Sequence, residues 1–282
     1  MMSSNGPYTK VAVITGGASG LGLGVATQLA HRGDWFVHIL DLDEKRGRAA
    51  SQALGSSSEC HRVNVADYAS LATIFDSIFE QHRRIDFVFA NAGIVDNVDF
   101  YAPQECSGPP SAPNMLTIDI DLNAVVNSTY LAMHYFRRSP QDTKRNIVMT
   151  ASVGSLYPCF AIPLYTGAKH GVLGFMRAIA PRLNKEGIRT NAICPGVVAT
   201  NLMTDDDFEH YPSDYFTPLE AVTYTVLQVV DNQDMEDATG VKLCGDDVFG
   251  KAIEINVRNI YFRAQPDWCD SVMPLVMAAT DR

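Results

Sequence analysis

The stretch Val11-Ala12-Val13-Ile14-Thr15-Gly16-Gly17-Ala18-Ser19-Gly20-Leu21-Gly22 reads as a short apolar strand running into a glycine turn and then a helix over 21–32. Glycines in such a turn let the backbone approach a pyrophosphate, and the helix amino end favours its negative charge. A glycine cluster by itself is an ordinary turn, so the placement between strand and helix is what gives this one weight. A second strand is expected over 36–40, and Asp41 closes it nineteen residues after Gly22. A carboxylate at that offset accepts hydrogen bonds from the hydroxyls of an adenosine ribose. The same carboxylate repels a 2′-phosphate, Asp43 and Glu44 add charge beside it, and Ser19 is not basic. NAD is therefore expected in preference to NADP.

The alternation continues along the chain. Helices are expected over 44–54 and 70–81, strands over 61–65 and 86–90, then an irregular proline-rich stretch over 95–113. A long amphipathic pattern covers 115–138, followed by a strand over 146–151, a helix over 165–183 and a strand over 190–193 that Pro195-Gly196 ends. Residues 200–216 combine acids with Phe208, Tyr211, Tyr215 and Phe216 without a period, and read as a mobile substrate loop. Thr217 and Pro218 are expected to cap and open a helix to about residue 230, and 252–255 to form the last strand. Strand–helix alternation of this kind predicts an α/β fold, a Rossmann-type doubly wound parallel sheet with helices on both faces. All 282 residues are expected in one catalytic domain.

Composition narrows the function classes. A formal net charge of -10 without a basic stripe argues against a nucleic-acid partner. No apolar run reaches the length of a membrane span, and the polar first ten residues lack a signal-peptide pattern, so a cytoplasmic location is expected. Six scattered cysteines read as reduced thiols, and Asn127-Ser128-Thr129 as a sequon inside a helix, without use. Cysteine, histidine and carboxylate spacings suggest no metal site. His134, His170 and His210 read as structural or solvent-facing. The helices over 115–138 and 165–183 carry apolar residues beyond one stripe, among them Val172, Leu173, Phe175, Met176 and Ile179, which predicts a homodimer or homotetramer.

Chemistry is carried by Ser152, by Tyr165 thirteen residues on, and by Lys169 four after that. Four residues are about one helical turn, so phenol and ammonium share a face and the charge favours phenolate, making Tyr165 a base. With the motifs Thr15 to Gly22, Asn64-Val65, Asn91-Ala92-Gly93 and Pro195-Gly196 with Thr200 in this order, the chain resembles the short-chain dehydrogenase/reductase family. Asp41 and the ending Gly250-Lys251-Ala252-Ile253-Glu254 are similar to its NAD-linked alcohol dehydrogenases related to 15-hydroxyprostaglandin dehydrogenase.

The resemblance implies that Gly16, Ser19, Gly20, Leu21 and Gly22 hold the pyrophosphate and that Asn64 and Val65 meet the adenine. Asn91, Ala92 and Gly93 would line the cleft, with Asn91 either touching the cofactor or bracing a strand end. The Val198 backbone and Thr200 would hold the carboxamide. Tyr165 would exchange the substrate proton, Lys169 would bind the nicotinamide ribose and depress the phenol pKa, and Ser152 would steady the substrate oxygen. Asp121 takes the place of the family's Asn, in a proton relay through Lys169. The expected reaction is NAD-dependent hydride transfer between a secondary alcohol and its ketone. An NADPH-dependent ketoreductase and a non-catalytic nucleotide-binding protein are the alternatives.

Overall fold

The computed structural model describes residues 8–141, 145–203, 205–209 and 211–280; His210 lies outside the described residues. In chain order the elements are β1 (Lys10–Thr15), α1 (Gly20–His31), β2 (Trp35–Asp41), α2 (Glu44–Leu54), β3 (Ser58–Arg62), α3 (Tyr68–His82) and β4 (Phe87–Ala90). Then follow α4 (Leu116–Ile118), a π-helical turn (Asp119–Asn123), α5 (Ala124–Arg138), β5 (Arg145–Thr150), α6 (Pro163–Lys185) and β6 (Ile188–Pro195). The last part comprises α7 (Asp205–Phe208), α8 (Leu219–Val230), β7 (Met235–Glu236), β8 (Lys242–Leu243), β9 (Ala252–Asn256), β10 (Asn259–Arg263) and α9 (Met273–Ala278).

Eight strands form one sheet in the order β10-β9-β6-β5-β4-β1-β2-β3, parallel except for β10, which pairs antiparallel with β9. The chain reverses direction of travel between β1 and β4, the switch point beside which doubly wound sheets bind nucleotides. Alternation sorts the core into two layers. In β4, Val88 and Ala90 join α3, α5 and α6 on one face, whereas Phe87 and Phe89 join α1 and α8 on the other. Both phenylalanines are fully buried, each contributing about 1.5 to 3 kcal/mol. Two caps begin helices on the first face and beside the turn: Asp67 accepts from Ala69 N and Ser70 N, and Asp43 accepts from Arg46 N.

Several expectations need correction. The antiparallel strand β10 and the small β7–β8 hairpin were not legible, because an edge strand needs only one buried face and two-residue strands have no period. Thr217 does not cap α8; its hydroxyl contacts Ile255 O at 3.4 Å and accepts from Val257 N at 2.9 Å, tying the helix entry to β9. Residues 200–216 carry short local structure that their sequence did not signal. They hold α7 and a turn at Ser213–Tyr215, and Phe216 packs against Phe208 and Tyr211 with centroids 5.6 and 6.4 Å apart. Of the apolar residues that suggested an oligomer, Val172, Leu173 and Met176 are buried in the chain's own core, leaving Phe175 and Ile179 part-exposed. Among the described residues, no helix is long and apolar enough to cross a membrane.

Candidate active site

A cleft of about 590 Å³ opens at the carboxyl ends of the central strands. One wall is the turn between β1 and α1. Gly16 and Gly20 take positive φ values of 63° and 51°, backbone that favours glycine. Contact distances constrain the turn further. A Cβ on Gly22 would lie 2.2 Å from the Gly16 carbonyl oxygen, and one on Gly20 would lie 3.1 Å from Thr200 Cγ2. The turn thus packs flush between α1 and the segment after β6, leaving Gly16, Ser19, Gly20 and Leu21 along the cleft.

Asp41 stands at the same wall, where its carboxylate accepts from Ala18 N and Asp43 N, both at 3.0 Å. Asn64 also lines the cleft, its side chain turned back to Ala66 N at 3.1 Å, next to the buried Val65. Asn91 braces strand ends, one of the two roles expected of it, and borders the cleft with Ala92 and Gly93. Its amide donates to Thr15 O (3.2 Å) and Gly16 O (3.3 Å) and its oxygen accepts from Thr150 Oγ1 (2.9 Å). Val198 packs on the core and is not among the cleft's lining residues, while Thr200 is.

At the other end α6 brings Tyr165 and Lys169 to one face, with the Lys169 ammonium 5.5 Å from the Tyr165 ring centroid. Lys169 is 2 % exposed, and its Nζ donates to Thr150 O at 2.9 Å and meets Asp121 Oδ2 at 2.9 Å. Asp121 is fully buried in the π-helical turn, and its other oxygen accepts from Ile94 N at 2.8 Å. Widened turns of this kind recur at functional sites. Gly93 makes room for the pair, since a Cβ there would lie 3.0 Å from Asp121 Oδ2 and 3.4 Å from Lys169 Nζ. Ser152 and Tyr165 converge over Gly154, whose Cβ would lie 3.4 Å from Ser152 Oγ and from Tyr165 Cε1.

Burial dominates the electrostatics. It pushes the Tyr165 phenol above its ordinary value, against the pull of the Lys169 charge and the Ser152 hydroxyl. Desolvation thus outweighs the pull of the ammonium that the helical spacing brings to Tyr165. Burial also works to lower Lys169, but Asp121 and then Tyr165 offset it and hold the ammonium above its ordinary value. The Asp121 carboxyl is raised by burial against the Lys169 charge.

Three contributors escaped sequence reasoning. Asp96 reaches from the proline-rich loop to accept from Leu164 N (2.9 Å) and Tyr165 N (3.0 Å), capping the helix that carries the phenol. Its only sequence signal is a position three residues after Gly93. Thr150 serves both Lys169 and Asn91. Arg46 lines the cleft near Asp41, with Nε 3.3 Å from Asp43. The aromatics of 200–216 are absent from the lining, where Asn201 and Leu202 appear instead.

The family model described as short chain dehydrogenase matches residues 10–210, well over half of the chain. The chain belongs to the short-chain dehydrogenase/reductase family. Among its relatives, the short-chain dehydrogenase/reductase prx7 of Penicillium rubens is 42% identical over 271 residues, which cover 92% of this chain and 96% of that one. Human 15-hydroxyprostaglandin dehydrogenase [NAD(+)] is 29% identical over 213 residues, covering 73% and 74%. The fold matches the crystal structure of 3-ketoacyl-(acyl-carrier-protein) reductase from Brucella melitensis complexed with NADH, with a TM-score of 0.72 at 20% identity, covering 90% of this chain and 99% of that one. Family membership makes the chain an oxidoreductase of the nicotinamide-dependent kind.

The buried pair yields a stability prediction. Asp121→Ala leaves the Lys169 ammonium buried without its counter-charge and should cost about 3 to 5 kcal/mol. Urea denaturation measures this, and a loss below about 1 kcal/mol would contradict the pairing.

Proposed function

We propose that the chain transfers a hydride between NAD and a secondary alcohol or its ketone, with Tyr165 exchanging the substrate proton. The observation that carries this reading is one cleft with two chemistries: a glycine turn beside Asp41 at one end, and Tyr165 with Lys169 at the other. The residues present fit a dinucleotide, because the positive-φ Gly16 and Gly20, where a Cβ would press on Ala92 or Thr200, border the cleft with backbone at the start of α1, as pyrophosphate binding needs. The bound nicotinamide supplies the hydride acceptor or donor.

The chain's own groups do the rest. Tyr165 takes the hydroxyl proton in oxidation and returns it in reduction, and Lys169 favours the phenolate from within the same helix. Ser152 donates to the substrate oxygen as charge develops there. Asp121 holds the Lys169 ammonium charged and in place, and Thr150 O fixes its direction. The apolar part of a small to medium substrate rests against Ile94, Val95, Leu116, Ile120 and Leu202, with 200–216 as the substrate loop. Assembly as a homodimer or homotetramer through α5 and α6, where Tyr130 is 61 % exposed, and a cytoplasmic location complete the reading.

Arg46 gives the NADPH-linked ketoreductase reading its one specific observation, a guanidinium at the adenosine end of the cleft. It is engaged by Asp43, and Asp41 faces the same wall, so NAD remains favoured. The name of the human relative, which specifies NAD(+), points the same way.

Two measurements test the proposal. Titration of both cofactors should show NAD bound about a hundredfold more tightly, from a repulsion of roughly 2 to 3 kcal/mol between Asp41 and a 2′-phosphate; equal or tighter NADP binding would sink it. Tyr165→Phe should lower turnover of a secondary-alcohol panel by on the order of 100-fold or more, with NAD affinity kept within a few-fold. Ordinary turnover by that variant would mean the proton leaves by another route, and no turnover by the parent enzyme would favour a non-catalytic nucleotide binder.

A further inference from the structure

Three imidazoles and a carboxylate meet at the outer edge of the sheet, on residues that do not line the cleft. The register pairs His38 with Glu59 and Leu40 with His61, so His38, Glu59 and His61 project from the same face of β2 and β3. His82, the last residue of α3, closes over them. His38 is fully buried; its Nδ1 lies 2.9 Å from His61 Nε2 and 4.0 Å from Glu59 Oε2, and its Nε2 lies 2.9 Å from His82 Nε2. Phe36 packs on the rings of His38 and His82, with centroids 5.0 and 4.8 Å away. Cys60 between the two β3 donors points to the opposite face, toward Gly47.

We propose that His38 Nδ1, His61 Nε2 and a Glu59 carboxylate oxygen bind a divalent transition-metal ion, with water completing a tetrahedral site. The donor atoms of these three residues lie within 4.8 Å of one another. Bonds of about 2.0 to 2.2 Å in a tetrahedral site put neighbouring donors roughly 3.3 to 3.5 Å apart. The observed 2.9 and 4.0 Å separations bracket that spacing, and the Glu59 side chain, 45% exposed, is free to close the longer one.

Imidazole ligates a metal in its neutral form. With Nδ1 on the ion, the His38 proton sits on Nε2 and donates to His82 Nε2. A ligating histidine is commonly held by such a partner on its other nitrogen, which fixes tautomer and ring orientation. The ion would clamp the edge strand β3 to β2 three residues before Asp41.

Calorimetric titration of chelator-treated full-length protein with zinc(II) tests the site. One zinc(II) per chain should bind, and His61→Ala and Glu59→Gln should each weaken that binding at least tenfold; His82→Gln should weaken it about 10- to 100-fold through the lost tautomer lock. The exposed thiols of Cys106, Cys244 and Cys269 are common to all these proteins, so only the increment lost on substitution counts. Cobalt(II) in the same site should give a tetrahedral visible spectrum without a thiolate charge-transfer band. Glu59→Gln changes an exposed side chain and keeps the test decisive should His61→Ala fold poorly. No stoichiometric site in the parent chain, or isotherms unchanged by His61→Ala and Glu59→Gln, overturns the proposal.

Discussion

The ion pair between Lys169 and Asp121, enclosed at the end of the cleft, is the constraint on which the site depends. An ammonium this deeply buried persists only if its charge is matched and its protons are accepted. Each neighbour answers that demand. The π-helical turn places Asp121 opposite Lys169, Ile94 N donates to the second carboxylate oxygen, Thr150 O accepts a hydrogen bond from the ammonium, and Gly93 leaves room for the pair. Since Thr150 also binds Asn91, and Asn91 reaches Thr15 and Gly16, the Lys169 end of the cleft and the glycine turn belong to one hydrogen-bonded frame across β5, β4 and β1.

That frame explains how a fold built from periodic burial yields a polarised cleft. The buried strands align their carboxyl ends, and each end supplies a different group: the glycine turn from β1, Asp41 from β2, Asn91 from β4, Thr150 from β5 and Thr200 beyond β6. Asp96 fixes the first turn of α6 from the opposite side, so the phenol is positioned through the backbone of its own residue as well as by its neighbours. Desolvation raises the phenol in this enclosure, against the pull of the Lys169 charge.

Local patterns made much of this legible. β1, the turn, α1 and Asp41 were readable because strand period, glycine placement and offset agree, and Tyr165 with Lys169 because one helical turn is a fixed spacing. Asp121 was readable by its alignment within the family motif, and the structure puts it against Lys169. What escaped depends on contacts between distant segments. Asp96 caps a helix that begins 67 positions later in the chain; β10 is a part-buried edge strand; and His38, Glu59, His61 and His82 come together only once β2, β3 and α3 are in register. The Glu59 and His61 pair does carry a trace of its position, two residues apart as one strand face requires. The phenol's raised pKa was hidden for another reason: spacing reveals a neighbouring charge but not the depth of burial.

The account is tested most directly by the pH profile of kcat/KM for alcohol oxidation in Asp121→Asn against the parent chain. Asp121 holds the Lys169 ammonium charged against burial, and that charge pulls the Tyr165 phenol down more strongly than the Asp121 carboxylate opposes it. Removing the carboxylate leaves burial to lower Lys169, so its pull weakens and the phenol pKa rises. In the proposed reaction oxidation uses the deprotonated phenol, and the rising limb of the profile should therefore move to higher pH. A limb that stays in place or moves to lower pH would contradict a proton affinity of Tyr165 set by the buried pair.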